Sequence, residues 1–523
     1  MFLAPSDKVA LRIFYIWQRY IPWLNFKSLS LSINLRIKME QLIIKKGERK
    51  VSERQQKIIL GVLVMGVFMA SIDSTIVLLA FPAITQALHS NLATIIWVIL
   101  IYMLVSAVAA TQLGRIGDIF GRSRVFNYGI AIFTIFSFLC GIAPNAFSLI
   151  AFRAVQAFGG AMMSSNSGAI IADTFEHNKL GRAYGFTSMG WNIGAMVGII
   201  LGGIITTYVG YRYIFFINVP IGAVMFLLAV KYININRRVY EKLDFPGLIL
   251  IGGLLALILF SGVTIASIGI NGFDLAMLLI GFALIYPLIV IEKRNPNPII
   301  KLEMFDNKVF RNSILALFFQ ALGYIGVNFM LIMYLQGVRG FTPFYAAVLL
   351  LPGYLISSVL APIMGRLSDR YGARRLATLG TLVIIAGILV YMRLGVNSSI
   401  DLVLLGSAII GIGASMFWPA NNSAIMKSSK ADRFGTASGL SRLFSSIGIM
   451  GSFIIVIIAS TLVIPRKVAF EIFVGTSKLI GGVSSSFVHG MHFSFIFLIG
   501  ILVIAALTSL TRGNENEPSS ALS

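Results

Sequence analysis

The chain has little of what a water-soluble protein needs. Only 12% of its 523 residues are charged and 57% are hydrophobic, whereas a soluble domain carries about a quarter of its residues as charges. With too few charges to cover a surface in water, much of the apolar surface must meet lipid, and an ordinary soluble domain is excluded. Acid is scarcer than base, with 20 Asp and Glu against 42 Lys and Arg. Cysteine occurs once, at Cys140, which rules out a disulfide framework and a thiol metal site. His89, His177, His489 and His492 fall in loops or at the edge of an apolar run and form no cluster with metal-ligand spacing. No nucleophiles, metal ligands or paired acids converge, so the expectation is a protein that is not an enzyme and needs no cofactor.

What fills the chain instead is a succession of apolar runs near twenty residues long, the length that crosses a bilayer as a helix. They read as spans at about 58–82, 93–113, 125–143, 147–171, 183–207, 212–231, 245–267, 275–292, 312–335, 344–364, 376–395, 400–424, 435–461 and 490–511. The expected architecture is therefore an all-α polytopic membrane protein with fourteen transmembrane helices. Pro144-Asn145, Asn271-Gly272 and Thr342-Pro343 supply turn chemistry between several of them.

The net charge of +22 would suggest nucleic acid in a soluble protein, so the charges must first be sorted by loop. With alternate loops assigned to one side, 34 Lys and Arg lie on the side of the N-terminus, 6 on the other and 2 inside spans. That asymmetry puts both termini in the cytoplasm of a cell membrane, and it removes the nucleic-acid reading because the charge is spread over many short loops. Residues 1–57, with twelve Lys and Arg, read as a basic cytoplasmic tail. Within it Ala10 to Leu24 fits a short helix in the headgroup region, an unstructured extension, or residues upstream of a start at Met39. Residues 512–523 form the other tail.

One loop appears twice. Leu113 to Arg124 reads Leu-Gly-Arg-Ile-Gly-Asp-Ile-Phe-Gly-Arg-Ser-Arg, and Gly365 to Arg375 reads Gly-Arg-Leu-Ser-Asp-Arg-Tyr-Gly-Ala-Arg-Arg. Gly114, Asp118 and Gly121 match Gly365, Asp369 and Gly372 at a constant offset of 251 positions (365 − 114). Arg122 and Arg124 follow the first set, and Arg374 and Arg375 follow the second. The first copy follows the second span and the other copy follows the tenth, so the chain divides as six, two and six spans. The expected units are a six-helix bundle over 58–238, two extra spans and a cytoplasmic linker over 239–311, and a second six-helix bundle over 312–511. Two similar bundles around one central site are how alternating-access transporters are built.

Several residues stand out inside the spans. Asp73 is the one acid placed well inside an apolar run, where a carboxylate is costly and must face a partner or a water-filled cavity. It is a proton-carrier candidate; a permanently bonded Asp73 held by Ser71, Ser74 or a neighbouring span is the competing reading. Arg153, some seven residues from the outer end of the fourth span, either snorkels to the interface or turns inward with Gln156 at i+3 and acts on Asp73. Gly190, Gly194, Gly198 and Gly202, with Gly203 adjacent, mark one face of the fifth span for close helix contact, as a gate or as static packing. Asp118 and Asp369, beside arginines at the ends of their spans, read as conformational latches. Asn166, Trp191, Asn192, Gln320, Tyr324, Asn328, Trp418 and Asn421 offer polar and aromatic groups for a small amphipathic substrate. The expected partners are that substrate, protons and the lipid bilayer, with the chain acting as a monomer driven by a proton gradient.

Taken together, these motifs resemble the major facilitator superfamily, and within it the fourteen-span drug/proton antiporters, over about residues 55–511. The Gly114–Arg124 loop is similar to the family's Gly-x-Leu-Ala-Asp-Arg-x-Gly-Arg-Lys signature, with Ser123 where a second basic residue is usual. Leu149-Ile150-Ala151-Phe152-Arg153-Ala154-Val155-Gln156 looks like the fourth-span motif, whose arginine is linked to proton transfer. Asp73-Ser74-Thr75-Ile76-Val77, with Pro82, looks like the first-span motif, whose aspartate is implicated in proton coupling. Tyr211 to Gly222 and Pro298 to Phe305 also resemble stretches of the fourteen-span group. The family's fifth-span antiporter motif, Gly-x-x-x-Gly-Pro-x-x-Gly-Gly, is departed from at Ile199, which stands where the proline would be. The resemblance implies proton-coupled multidrug export by alternating access, with proton-coupled uptake or exchange of a small metabolite as the alternative.

Overall fold

The computed structural model describes residues 52–175, 180–233, 243–295, 298–429, 434–463 and 483–513. Nearly all of the basic tail, including Ala10 to Leu24, lies outside the described residues. So does all but the start of the C-terminal tail. Among the described residues there are no strands, and fourteen helices are long and apolar enough to cross a membrane.

The first half comprises α1 (Glu53–Ala87), α2 (Trp97–Phe120), α3 (Arg122–Gly141), α4 (Ala146–Thr174), α5 (Leu180–Tyr208) and α6 (Asn218–Tyr232). Two extra spans follow, α7 (Phe245–Ile268) and α8, which runs as Gly272–Ala283 and Ile285–Arg294. The second half comprises α9 (Lys308–Met333), α10 (Pro343–Tyr371), α11 (Ala373–Tyr391), α12 (Ile400–Lys427), α13 (Phe434–Val463) and α14 (Val483–Leu510). Several helices outrun the expected spans, α1 by a turn or more at each end. Hydropathy marks the part that needs hydrocarbon, whereas backbone hydrogen bonding carries a helix on past it.

The turn residues read from the sequence become helix caps. Asn145 accepts from Ser148 N at 2.9 Å to start α4, Asn271 accepts from Asp274 N at 2.8 Å to start α8, and Thr342 caps α10 just ahead of Pro343. Each satisfies a backbone donor that a helix start leaves without an intrahelical partner.

The repeat is visible in backbone geometry. Gly121 (φ 106°) is the single residue joining α2 to α3, and Gly372 (φ 88°) joins α10 to α11 in the same way. A side chain is strained at such angles, which is why each copy of the loop needs its last glycine. The helix crossings repeat as well. Gly129 meets Gly159 where α3 crosses α4, and Gly380 meets Gly413 where α11 crosses α12. Bare backbones at these points let the helices touch, the packing that lipid-embedded bundles favour.

The halves touch at the end opposite the repeated loops. Phe344 N donates to Thr207 Oγ1 at 3.2 Å, the Tyr208 and Phe344 rings lie 6.2 Å apart, and Gln336 reaches the Leu79 carbonyl at 3.4 Å. Helices α7 and α8 pack on each other, and α7 also lies against α2 and α13, one helix from each half. At the loop end Asp244 N donates to Gln112 Oε1 at 3.3 Å, and Arg115 Nη2 donates to the Pro298 carbonyl at 2.7 Å. The extra spans are thereby tied to the helix that carries the first repeated loop. Phe273, Leu279, Phe282 and Tyr286 of α8 remain exposed, the surface expected of a helix facing lipid.

A Cβ at residue 159 would sit 2.7 Å from Phe133 N and 2.9 Å from the Gly129 carbonyl, whereas one at residue 61 would meet nothing within 4 Å. Gly159→Ala should therefore destabilise the bundle by about 1–3 kcal/mol and Gly61→Ala should not. Thermal unfolding of the two variants in the same detergent checks the contrast.

Candidate functional site

Helix α1 is apolar almost all round and buried on most of its faces, so Asp73 can point into protein wherever it turns. Its carboxylate is fully buried and meets Arg153 of α4 at 2.6 Å from Nη1 to Oδ2. Gln156, three residues along and hence on the same face of α4, donates from Nε2 to Asp73 Oδ1 at 3.0 Å, and Asn218 Nδ2 at the start of α6 donates to the same oxygen at 3.0 Å. Arg153 also donates to Gln156 Oε1 at 2.8 Å and, from Nε, to the Val98 carbonyl of α2 at 3.3 Å. Gln156 in turn donates to Ser137 Oγ of α3 at 2.6 Å. Five helices of one half thus converge on a single charge pair.

Aromatic rings close the cluster. The Arg153 guanidinium carbon lies 4.3 Å from the Tyr102 ring centroid and 5.7 Å from that of Phe215, within cation–π range. Of the two fates open to Arg153, snorkelling and turning inward, the structure has the second. Ser71 and Ser74 do not hold Asp73; Ser71 Oγ donates to the Trp191 carbonyl at 2.7 Å, and Ser74 Oγ donates to the Ser71 carbonyl at 2.9 Å. Asp73 faces a partner and not a water-filled cavity. With Arg153 and two amides on it and rings around the arginine, the carboxylate is sealed from water in this conformation.

The other residues singled out from the sequence fall into three groups. In the first repeated loop, Arg122 pairs with Asp118 at 2.6 Å and with Asp173 of α4 at 2.8 Å, which ties α2, α3 and α4 together. Gly114 lies beside Ser165 of α4, and Gly365 beside Pro419 of α12. Arg124 and Arg375 are exposed and Arg374 is half-buried, while the side chain of Asp369 lies outside the described residues. In α5, Gly190, Gly194, Gly198 and Gly202 lie against Val64, Phe68, Ile72 and Ile76 of α1, and Gly203 lies against Phe344 of α10. One face of α5 therefore touches its own half while its end touches the other.

The substrate candidates need correction. Asn166 is buried under Gly117 and donates to the Leu113 carbonyl at 3.2 Å. Gln320 accepts from Thr381 at 3.0 Å, and Asn421 donates to the Ser313 carbonyl and accepts from Arg512. All three are wholly buried and serve helix contacts, because polar groups inside an apolar bundle are drawn to any available partner. Tyr324, Asn328 and Trp418 are half-buried and Trp191 is exposed. The side chain of Asn192 lies outside the described residues.

A family model described as Major Facilitator Superfamily matches residues 63–452. The chain belongs to the major facilitator superfamily. It is 31% identical over 382 residues to the riboflavin transporter RibZ of Clostridioides difficile, covering 71% of this chain and 81% of that one. It is 29% identical over 391 residues to the tetracenomycin C resistance and export protein of Streptomyces glaucescens, covering 73% and 72%. A bacterial homologue of the human lysosomal transporter Spinster, in an inward-facing and unoccupied conformation, shares the fold with a TM-score of 0.64 at 18% identity, over 88% of this chain and 97% of that one. The chain is therefore a membrane transporter for a small molecule, a class that moves solutes and does not transform them.

Sequence reasoning missed three parts of this facilitator's site. Ser137 has no signal of its own, since a serine in an apolar span is most often bonded to its own helix. Tyr102 gives no warning that it roofs the ion pair. Asn218, which donates directly to Asp73, does carry a signal, since it lies in the Tyr211 to Gly222 stretch that the resemblance marks.

Removing one partner of a buried pair strands the other charge, at a cost of about 3–5 kcal/mol. Arg153→Met should lower thermal stability by that order, and Asp73→Asn combined with Arg153→Met should recover most of the loss. Unfolding curves of the single and double variants check it.

Proposed function

We propose that this transporter is a proton-coupled exporter of hydrophobic or amphipathic organic compounds, working by alternating access between residues 58–238 and 312–511. The observation that carries the reading is Asp73, an acid deep in an apolar bundle whose charge depends on Arg153 at 2.6 Å. A proton and Arg153 compete for that carboxylate, so protonation frees the arginine and loosens the contact among five helices. Proton binding and bundle rearrangement become one event.

Loop charge puts the repeated-loop end, and both termini, in the cytoplasm of the cell membrane. On that assignment the halves are closed at the outer face, and a compound enters from inside. Asp73 is dry in this state and takes up its proton when the halves rock and the outer side opens. The Asp118–Arg122–Asp173 contacts and the matching Gly365–Arg375 loop act as latches at the cytoplasmic end. The glycine face of α5 lets that helix slide on α1 while its outer end makes and breaks the Phe344 contact. Trp191, Tyr324, Asn328 and Trp418 supply the substrate surface, and the chain works as a monomer. The membrane potential contributes about 2.3 kcal/mol per charge per 100 mV, so one proton supports a gradient of a neutral solute of about fifty-fold.

A second reading, proton-coupled uptake or exchange of a small metabolite, is favoured by Ile199 in place of the exporters' proline and by the riboflavin transporter among the relatives.

Energised inverted vesicles offered a panel of fluorescent cations and neutral compounds should accumulate some of them, and a protonophore should abolish the accumulation. In Asp73→Asn, uphill accumulation should fall at least tenfold while counterflow exchange persists. Undiminished uphill transport by that variant removes Asp73 from the coupling, and accumulation only in right-side-out vesicles selects the uptake reading.

A further inference from the structure

Two acids outside the Asp73 cluster are buried against each other where the extra spans meet α2. Asp244 stands at the start of α7 and Glu292 near the end of α8, and they are 1% and 3% exposed. Each gives one oxygen to the backbone: Asp244 Oδ1 accepts from Gly247 N at 2.9 Å, and Glu292 Oε2 accepts from Ile300 N at 3.1 Å. The other oxygens, Asp244 Oδ2 and Glu292 Oε1, have no hydrogen-bond partner. They converge on Gly247. A Cβ there would sit 2.6 Å from Asp244 Oδ2 and 2.9 Å from Glu292 Oε1, so the two oxygens are no farther apart than those lengths together.

Charge does not balance at this joint. Neither acid has an ion pair among the described residues. The cation facing them is Arg115 of α2, whose Nη2 is bonded to the Pro298 carbonyl at 2.7 Å. Lys293 and Arg294, next along α8, are exposed, and Lys301, beyond Ile300, is half-buried. Gln112, also of α2, accepts from Asp244 N at 3.3 Å, and its buried Nε2 has no partner either. A water would complete the hydrogen bonds of all three atoms, yet it brings no charge, and two carboxylates this close together and shut from water do not both ionise. A hard metal ion takes about six oxygen ligands, and among the described residues no group of three His, Cys, Asp or Glu is placed to hold one. One proton meets every requirement: two carboxylates and one arginine become neutral when it is added.

We propose that Asp244 and Glu292 are a proton-binding site distinct from Asp73, an acid pair that holds one proton between its members and fastens α7 and α8 to the loop end of α2 while it does. The O–H of one acid faces the other, which satisfies both free oxygens and leaves a single negative charge for Arg115. Loss of the proton sets two like charges side by side at the joint. The site does not depend on the coupling role given to Asp73. On the orientation proposed above, the joint is at the cytoplasmic end and takes its proton from that side.

The folded protein then holds a proton that the unfolded chain releases above about pH 4. Stability supplied by the pair is complete at low pH and is lost as pH rises, by up to about tenfold in the unfolding constant per pH unit, until the pair gives up its proton.

The test uses the full-length protein in detergent. At neutral pH its infrared spectrum should contain a protonated-carboxyl band that shifts in heavy water. Glu292→Gln and Asp244→Asn should each remove that band, and Asp73→Asn should leave it. Between about pH 5 and about pH 9, the stability of Glu292→Gln relative to the wild type should grow by up to about tenfold in the unfolding constant per pH unit, because the carboxamide keeps the donor that the acid loses. No such band, a band that both joint variants retain, a band that Asp73→Asn removes, or a stability difference that ignores pH overturns the proposal. So does stabilisation of the wild type by sodium, magnesium or calcium at constant ionic strength that Glu292→Gln abolishes, since a metal cation then occupies the pair. If Glu292→Gln does not fold, the wild-type spectrum and Asp244→Asn still decide.

Discussion

A carboxylate shut away from water inside an apolar bundle stays charged only while its counter-charge and donors stay in place. Asp73 meets that condition through Arg153, Gln156 and Asn218, drawn from two further helices, with Tyr102 and Phe215 excluding solvent around the arginine. Much of the first half follows from this constraint. Helices α1, α2, α3, α4 and α6 must arrive at one point with fixed rotation, and none can turn without leaving a polar group unpaired.

Glycine controls how closely the helices approach. The Gly129–Gly159 and Gly380–Gly413 crossings bring backbones into contact at equivalent places in the two halves, and Gly121 and Gly372 turn the chain sharply between helices. The halves meet around Phe344, Gln336 and Leu79 and also where α2 packs against α13. Helix α7 lies against one helix of each half, and the bonds of Asp244 at its start to Gln112 and of Pro298 beyond α8 to Arg115 link the two extra spans to the first repeated loop.

The fold was legible because the solvent acts on the chain locally. Fourteen apolar runs each demand a helix, since no other open structure satisfies its backbone in lipid, and the 251-residue offset between two loops (365 − 114) announces two related halves. Asp73 and Arg153 were legible for the same reason, as charges in runs that otherwise contain almost none. The polar candidates were a different matter. Asn166, Gln320 and Asn421 look in sequence like Asn328 or Tyr324, but three are absorbed by helix contacts and two are not. Periodicity says which face of a helix a side chain occupies, not what stands opposite that face.

The number of spans, the repeat and the identity of the isolated charges were therefore determined by the sequence alone, because each reflects the cost of putting a residue in hydrocarbon. The turning of Arg153 onto Asp73 and the sealing of that pair from water were decided only in the tertiary structure. Each depends on the rotation of one helix against another, set by close packing at glycines and by polar groups finding partners 80 to 145 residues away in some cases and a single turn away in others.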